Sequence, residues 1–232
     1  MENKTLSIAF ADSLTEDTIS CIGEYVEIGL DAVMEDGILK DVPLVSTAIA
    51  LYKIGSSIQE RHNLKKLLVF LNELNNGIVD AEKLQDYRKK FQSNENFRNK
   101  EIEYLLVLID RYIDYVKPQM LAKLYLAYLD GKIIWEELTM YAEVVDRFLP
   151  SDCNLLISDV ETYYTYRNIG AEPILRLVAL GLMAEEYDSL LWQEDEGAGF
   201  SITASSIQQA KLKEKKYKKT EFGEKLATIL RQ

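Results

Sequence analysis

Tyr217-Lys218-Lys219-Thr220-Glu221-Phe222-Gly223-Glu224-Lys225-Leu226 is the stretch on which the fold of this chain turns. Tyr217 to Thr220 reads as a strand, and Glu221 to Leu230 as a helix that closes the last domain. Upstream, Pro173 to Ala184 reads as a short, very apolar helix carrying Leu180-Gly181-Leu182 at its end, and Tyr187 to Trp192 as a second strand. The segment 197–216 between the strands holds Gly197-Ala198-Gly199 and a polar run from Ser205 to Lys216, and is longer than an ordinary hairpin loop.

The quoted stretch resembles the final strand and closing helix of MarR-like and related winged helices, in which the phrase Y-x-L-T-x-x-G-x-x-L recurs. Lys219 stands where that phrase has leucine. The resemblance covers about the last sixty residues, implies a small winged-helix-like domain over 151–232 with a two-stranded wing, and carries no catalytic residue.

Working back toward the N-terminus, the apolar spacing is helical, which makes the chain mainly α, with a multi-helix body over 1–150. Ser13 and Glu16 have capping-box spacing and predict a helix over 14–34; a second starts at Pro43 and runs to about Ile58. The next spans His62 to Leu74, and Asp80 caps a short basic helix to about Phe91. Ile102, Leu105, Leu106, Ile109, Tyr112, Ile113 and Val116 form a stripe at three- and four-residue steps, ended by Pro118. Further helices are expected up to Leu129, from Ile134 to Phe148, and from Ser151 or Asp152 through the tyrosine-rich run to Arg167.

With 232 residues, 47% hydrophobic and 28% charged, the chain is globular in composition. Its net charge of −11 opposes non-specific DNA binding, which rests on neutralising phosphates with Lys and Arg. Residues 51–100 (net +4) and 201–232 (net +5) are basic islands in an otherwise acidic chain. They read as solvated helix faces or as docking surfaces for acidic partners. Two cysteines, Cys21 and Cys153, make no disulfide framework and fit a reducing cytoplasm; no signal peptide is evident at the N-terminus.

Constellations that could carry chemistry are incomplete. Leu126 to Glu137 has Gly131, Ile133 and Glu137 in EF-hand phase, but Leu126 and Tyr128 occupy the first and third ligand positions, so a helix–turn–helix corner is expected. His62 is the only histidine and neither cysteine has a CxxC neighbour, so no zinc cluster is expected. A thiol enzyme would need the fold to bring His62 to Cys153, which lies at a predicted helix start. Acidic pairs such as Asp110 with Asp114, and Glu185 with Glu186, are expected in a chain with 38 acidic residues; Asp110 and Asp114 share a helix face with Arg111 and Lys117. The clusters Tyr125/Tyr128 and Tyr163/Tyr164/Tyr166 read as half-buried helix packing with hydroxyls reaching water. Phosphate-loop, dinucleotide and GxSxG motifs are absent. No catalytic residue, cofactor, metal or small-molecule substrate is therefore expected.

Two surfaces remain as candidates. Arg176, Lys211, Lys213, Lys215, Lys216, Lys218 and Lys219 could contact nucleic acid or an acidic partner through the helix 173–184 and the wing. That helix is poor in groups able to read base edges. The segment 37–74 reads as an apolar helical hairpin, and Leu44, Ile49, Leu51, Ile54, Leu67 and Phe70 could serve the core, self-association or membrane contact. The sequence reading is a non-enzymatic, bacterial-type interaction or scaffold protein of the cytoplasm, an accessory in a process such as a stress or phage-defence response. The alternatives are a DNA-binding regulator and a membrane-acting effector.

Overall fold

The computed structural model describes residues 58–165, 170–186 and 215–232. Helix accounts for 72% of the interpretable region and strand for 9%, so the mainly helical class holds. The chain divides into two compact units, residues 1–146 and 147–232. The expected helices over 14–34 and from Pro43, the strand from Tyr187 to Trp192 and the connection 197–214 lie outside the described residues.

In the first unit, α1 (Ile58–Asn76) is followed by α2 (Ala81–Ser93), α3 (Glu95–Arg111), α4 (Val116–Leu129) and α5 (Trp135–Arg147). Helix α1 packs mainly on α4 and flanks α3. From Leu64 to Leu71 every residue of α1 except Lys65 is buried, so α1 is a central helix whose neighbours cover all its sides. Leu67 and Phe70 therefore belong to the core, while Leu44, Ile49, Leu51 and Ile54 lie outside the described residues. No described helix is long and apolar enough to cross a membrane.

Short polar side chains set the helix starts. Asp80 Oδ1 accepts from the amides of Glu82 and Lys83 at 3.0 and 3.1 Å, as its sequence position predicts. Asn94 accepts from Phe97 N at 3.0 Å. Replacing a cap of this kind costs about 1 kcal/mol. Asp80→Ala is thus expected to lower the stability of the first unit by about that amount, measured by urea unfolding, with Asp80→Asn close to wild type.

Several boundaries differ from the sequence reading. The apolar stripe stays buried through Ile102, Leu105, Ile109 and Tyr112, but α3 stops at Arg111, and Ile113 is 86% exposed. Pro118 does not end that helix. It sits in the first turn of α4, where its missing N–H costs nothing, and Asp114 Oδ1 accepts from the amides of Val116 and Lys117 just ahead of it. Asp110 and Asp114 consequently do not share a helix. The corner after α4 turns at Gly131 (φ +67°), with Glu137 accepting from Ile134 N, which is the helix–turn–helix expected there.

The second unit contains a 3₁₀ turn (Pro150–Asp152), α6 (Cys153–Ile157), β1 (Thr162–Thr165), α7 (Glu172–Ala179), β2 (Met183–Glu186), β3 (Lys215–Lys219) and α8 (Glu221–Arg231). The tyrosine-rich run is not a continuation of α6. Thr162-Tyr163-Tyr164-Thr165, four residues of high strand preference, pair antiparallel with β3. The sheet has the order β1-β3-β2, with Met183–Glu186 paired to β3, while the expected wing strand from Tyr187 to Trp192 lies outside the described residues. Helix α7 ends at Ala179, earlier than Ala184, because Gly181 (φ +73°) turns the chain and Met183 and Ala184 join the ladder opposite Lys219 and Lys218.

The Thr220-Glu221-Phe222-Gly223 step knits this unit together. Thr220 Oγ1 accepts from Gly223 N at 3.0 Å and donates to the Gly181 carbonyl at 2.7 Å, while Thr220 N donates to the Leu182 carbonyl at 3.1 Å. Gly223 lets α8 approach that same Leu182 backbone, since a Cβ there would lie 2.0 Å from the carbonyl oxygen. Lys219, which replaces a leucine in the phrase, keeps a side chain only 6% exposed and delivers its ammonium to the Ser158 carbonyl and to Glu224. Arg231 Nε and Nη2 donate to the Ile157 and Ser158 carbonyls at 2.7 and 3.1 Å, so the end of α6 is closed by two cations.

Candidate functional site

The register of the sheet decides what the basic ribbon can offer. Opposed residues in an antiparallel ladder share a face. Glu185 lies opposite Tyr217, and Glu186 opposite Lys216, so two carboxylates sit within reach of the β3 lysines. Lys215 pairs with Glu185 at 3.2 Å, Lys216 with Glu186 at 2.6 Å, and Lys218 with Glu186 at 3.0 Å. Lys219 pairs with Glu224 at 3.4 Å. The hydrogen bonds from Lys216 and then Lys218 hold the Glu186 carboxyl below the usual carboxylate range. Each described lysine of the ribbon therefore has an acidic partner. Lys211 and Lys213 lie outside the described residues.

Arg176 is likewise engaged. Its Nε and Nη2 donate at 2.7 and 2.6 Å to the two carboxylate oxygens of Asp152, which is 2% exposed. This fork-to-fork geometry makes Arg176 a tie between α7 and the turn before α6. Helix α7 buries Ile174 and Leu177, and its outer positions are Glu172, Leu175 (41% exposed) and Ala179. None of those three donates a hydrogen bond from its side chain at neutral pH.

A groove of about 470 Å³ runs along the same unit, lined by Asp159, Glu161, Lys219, Glu221, Glu224 and Arg231 among others. Lys219 and Arg231 already serve the Ser158 carbonyl and Glu224, and Lys218, also in the lining, pairs with Glu186. The lining thus mixes both charges without a convergent donor set.

Other sequence candidates take structural roles. His62 lies inside α1; its Nε2 is 2.7 Å from the Ile113 carbonyl and its Nδ1 2.8 Å from Tyr115 Oη. A carbonyl only accepts, so Nε2 carries a proton and donates to Ile113. Cys153 opens α6 in the other unit. Asp110 accepts from Asn63, and Asp130 is held by Lys132 and Lys83, its carboxyl lowered chiefly by the hydrogen bond from Lys132. Among the described residues no group of three or more His, Cys, Asp or Glu side chains is placed to hold a metal ion.

The least expected group is in the first unit. Glu101 of α3, 2% exposed, is surrounded by phenols: Tyr87 Oη lies 2.5 Å from Oε2, Tyr125 Oη 3.1 Å from Oε2, and Tyr128 Oη 2.7 Å from Oε1. Tyr87 and Tyr125 also lie 2.5 Å apart, oxygen to oxygen. The Tyr125 and Tyr128 hydroxyls, expected to reach water, thus converge with that of Tyr87 on a carboxyl. Rings of Phe91, Phe97 and Trp135 pack around them. Burial raises the Glu101 carboxyl above its usual range, opposed by the three phenols and by Lys90. Burial likewise pushes the Tyr87, Tyr125 and Tyr128 hydroxyls well up. The sequence did carry a signal: Glu101 stands in helical phase with Leu105 and Ile109 of the apolar stripe.

Comparison with known protein families, curated proteins and solved structures finds no match to this chain.

Proposed function

We propose that this chain acts by binding other proteins and not by catalysis, with the winged-helix-like second unit as the docking module and the helical first unit as its scaffold. The resemblance of residues 217–226 and the β1-β3-β2 sheet with α7 preceding the hairpin support the winged-helix reading. A fold of this kind does not fix its use. The observation that carries the proposal is the neutralised ribbon: Lys215, Lys216 and Lys218 face Glu185 and Glu186, and phosphate binding needs cations that are not already compensated. The outward positions of α7 add an apolar contact and no base-reading donor.

Titration of labelled duplex DNA by fluorescence anisotropy tests this. Wild type is expected to show no saturable binding at micromolar protein in about 50 mM salt. The double variant Glu185→Gln/Glu186→Gln is expected to gain weak affinity that falls steeply as salt rises. Tight binding by wild type, with the salt slope of several phosphate contacts, would instead establish the regulator reading.

A further inference from the structure

Counting protons around Glu101 gives a result that the pairwise contacts conceal. Four oxygen–oxygen contacts of 2.5 to 3.1 Å join Glu101, Tyr87, Tyr125 and Tyr128. Three phenols supply three protons, so an ionised Glu101 leaves one contact with none. If Tyr87 and Tyr125 both donate to Oε2, their oxygens face each other at 2.5 Å with no hydrogen between them. If Tyr125 donates to Tyr87 instead, its lone pairs face a charged Oε2 at 3.1 Å. A neutral carboxyl supplies the fourth proton. Oε2–H then donates to Tyr87, Tyr87 to Tyr125, and Tyr125 back to Oε2, while Tyr128 donates to Oε1. Every contact in the set is satisfied.

We infer that Glu101 keeps its proton in the folded protein, closing a hydroxyl ring with Tyr87 and Tyr125, and that the helical unit is a pH-responsive element that loosens as the pH rises. The surroundings favour the neutral form. No ion pair reaches Glu101 among the described residues. From α2, Lys90 is the one cation that favours its charge, and that ammonium sits 4.0 Å over the Phe97 ring. From α3 itself, Arg98 is one turn away and donates to the Phe91 carbonyl. Helix α4 presents the two phenols, α1 the uncharged ring of Phe70 against Tyr125, and α5 the Trp135 ring and the Glu136 carboxylate beside Tyr128. Burial of a carboxyl with no cationic partner favours its protonated state.

The sign of the pH dependence follows. The unfolded chain releases this proton near the ordinary value of 4.5, and the folded protein releases it at a higher pH. Between the two the folded state binds more protons. Stability from this group is therefore complete below the unfolded value and declines as pH rises through the window, by up to about tenfold in the folding constant per pH unit.

Infrared spectroscopy of the full chain at about pH 6, where exposed glutamates are ionised, reads the proton directly. Wild type is expected to show the carbonyl stretch of a neutral carboxylic acid, absent in Glu101→Gln and lost as the pH is raised. The thermal midpoint of wild type is expected to fall relative to Glu101→Gln over the same range. A wild-type spectrum with only ionised carboxylate, or midpoints running parallel in the two proteins, overturns the inference. Should Glu101→Gln fail to fold, the wild-type band and its loss with pH decide alone.

Discussion

Gly223→Ala is expected to destabilise the second unit by about 2–3 kcal/mol, the upper range for forcing extra atoms into a packed site. Elsewhere in a helix the same change gains about 1 kcal/mol, because alanine is the better helix former. The two effects have opposite signs, so the measurement discriminates. What decides it is that the obstructing atom is the Leu182 carbonyl oxygen, 2.0 Å from an ideal Cβ, and a backbone atom cannot step aside as a side-chain end can. That carbonyl is also fixed by Thr220 N. For a unit of this size the expected loss corresponds to a fall in thermal midpoint on the order of 10 °C. Calorimetry should show it in the transition of residues 147–232. A midpoint at or above wild type would mean that α8 does not approach Leu182 this closely.

Lys66→Met is expected to cost the first unit about 2–4 kcal/mol. Lys66 is fully buried, yet its ammonium donates to the Asp110 and Tyr112 carbonyls, both at 2.7 Å. These belong to the end of α3 and the residue beyond it, where helical carbonyls lack intrahelical partners. Methionine preserves the stem and removes both donors, stranding two acceptors at about 1–3 kcal/mol each. Part of that loss is offset, because burial opposes the charged ammonium and lowers the Lys66 pKa against the pull of Asp110 and Asp114. Urea unfolding measures the net effect, and amide hydrogen exchange should report faster opening at the end of α3. A variant as stable as wild type would mean that water replaces the ammonium at those carbonyls.

Gly223 also marks where the sequence was legible. Thr220 and Gly223 belong to a phrase visible in the chain, although the reason for the glycine, a carbonyl contributed by the turn at Leu182, lies elsewhere in the sequence. The helix starts at Asp80 and the corner at Asp130-Gly131 could be read locally, because capping and turning are local chemistry. The strand at Thr162–Thr165 has residues that favour strands, but its pairing could not be read locally, since its partner Lys215–Lys218 is distant in sequence. Basic ribbon residues could be named from sequence, but their neutralisation depends on a register that places Glu185 and Glu186 across the ladder. Glu101 was visible only as an acidic residue in phase with an apolar stripe, and three phenols from two other helices give it its meaning.

The middle position of β3 has a consequence for synthesis. Among the described residues, strands β1 and β2 each pair with β3 and not with each other, and β3 is the last of the three to be made. On the ribosome, Thr162–Thr165 and Met183–Glu186 leave the exit tunnel as two separate edges with no ladder between them. They acquire one only when Lys215–Lys219 follows, and Gly223 then seats α8 against Leu182. A nascent chain that ends before Lys215 therefore lacks the strand that joins β1 to β2.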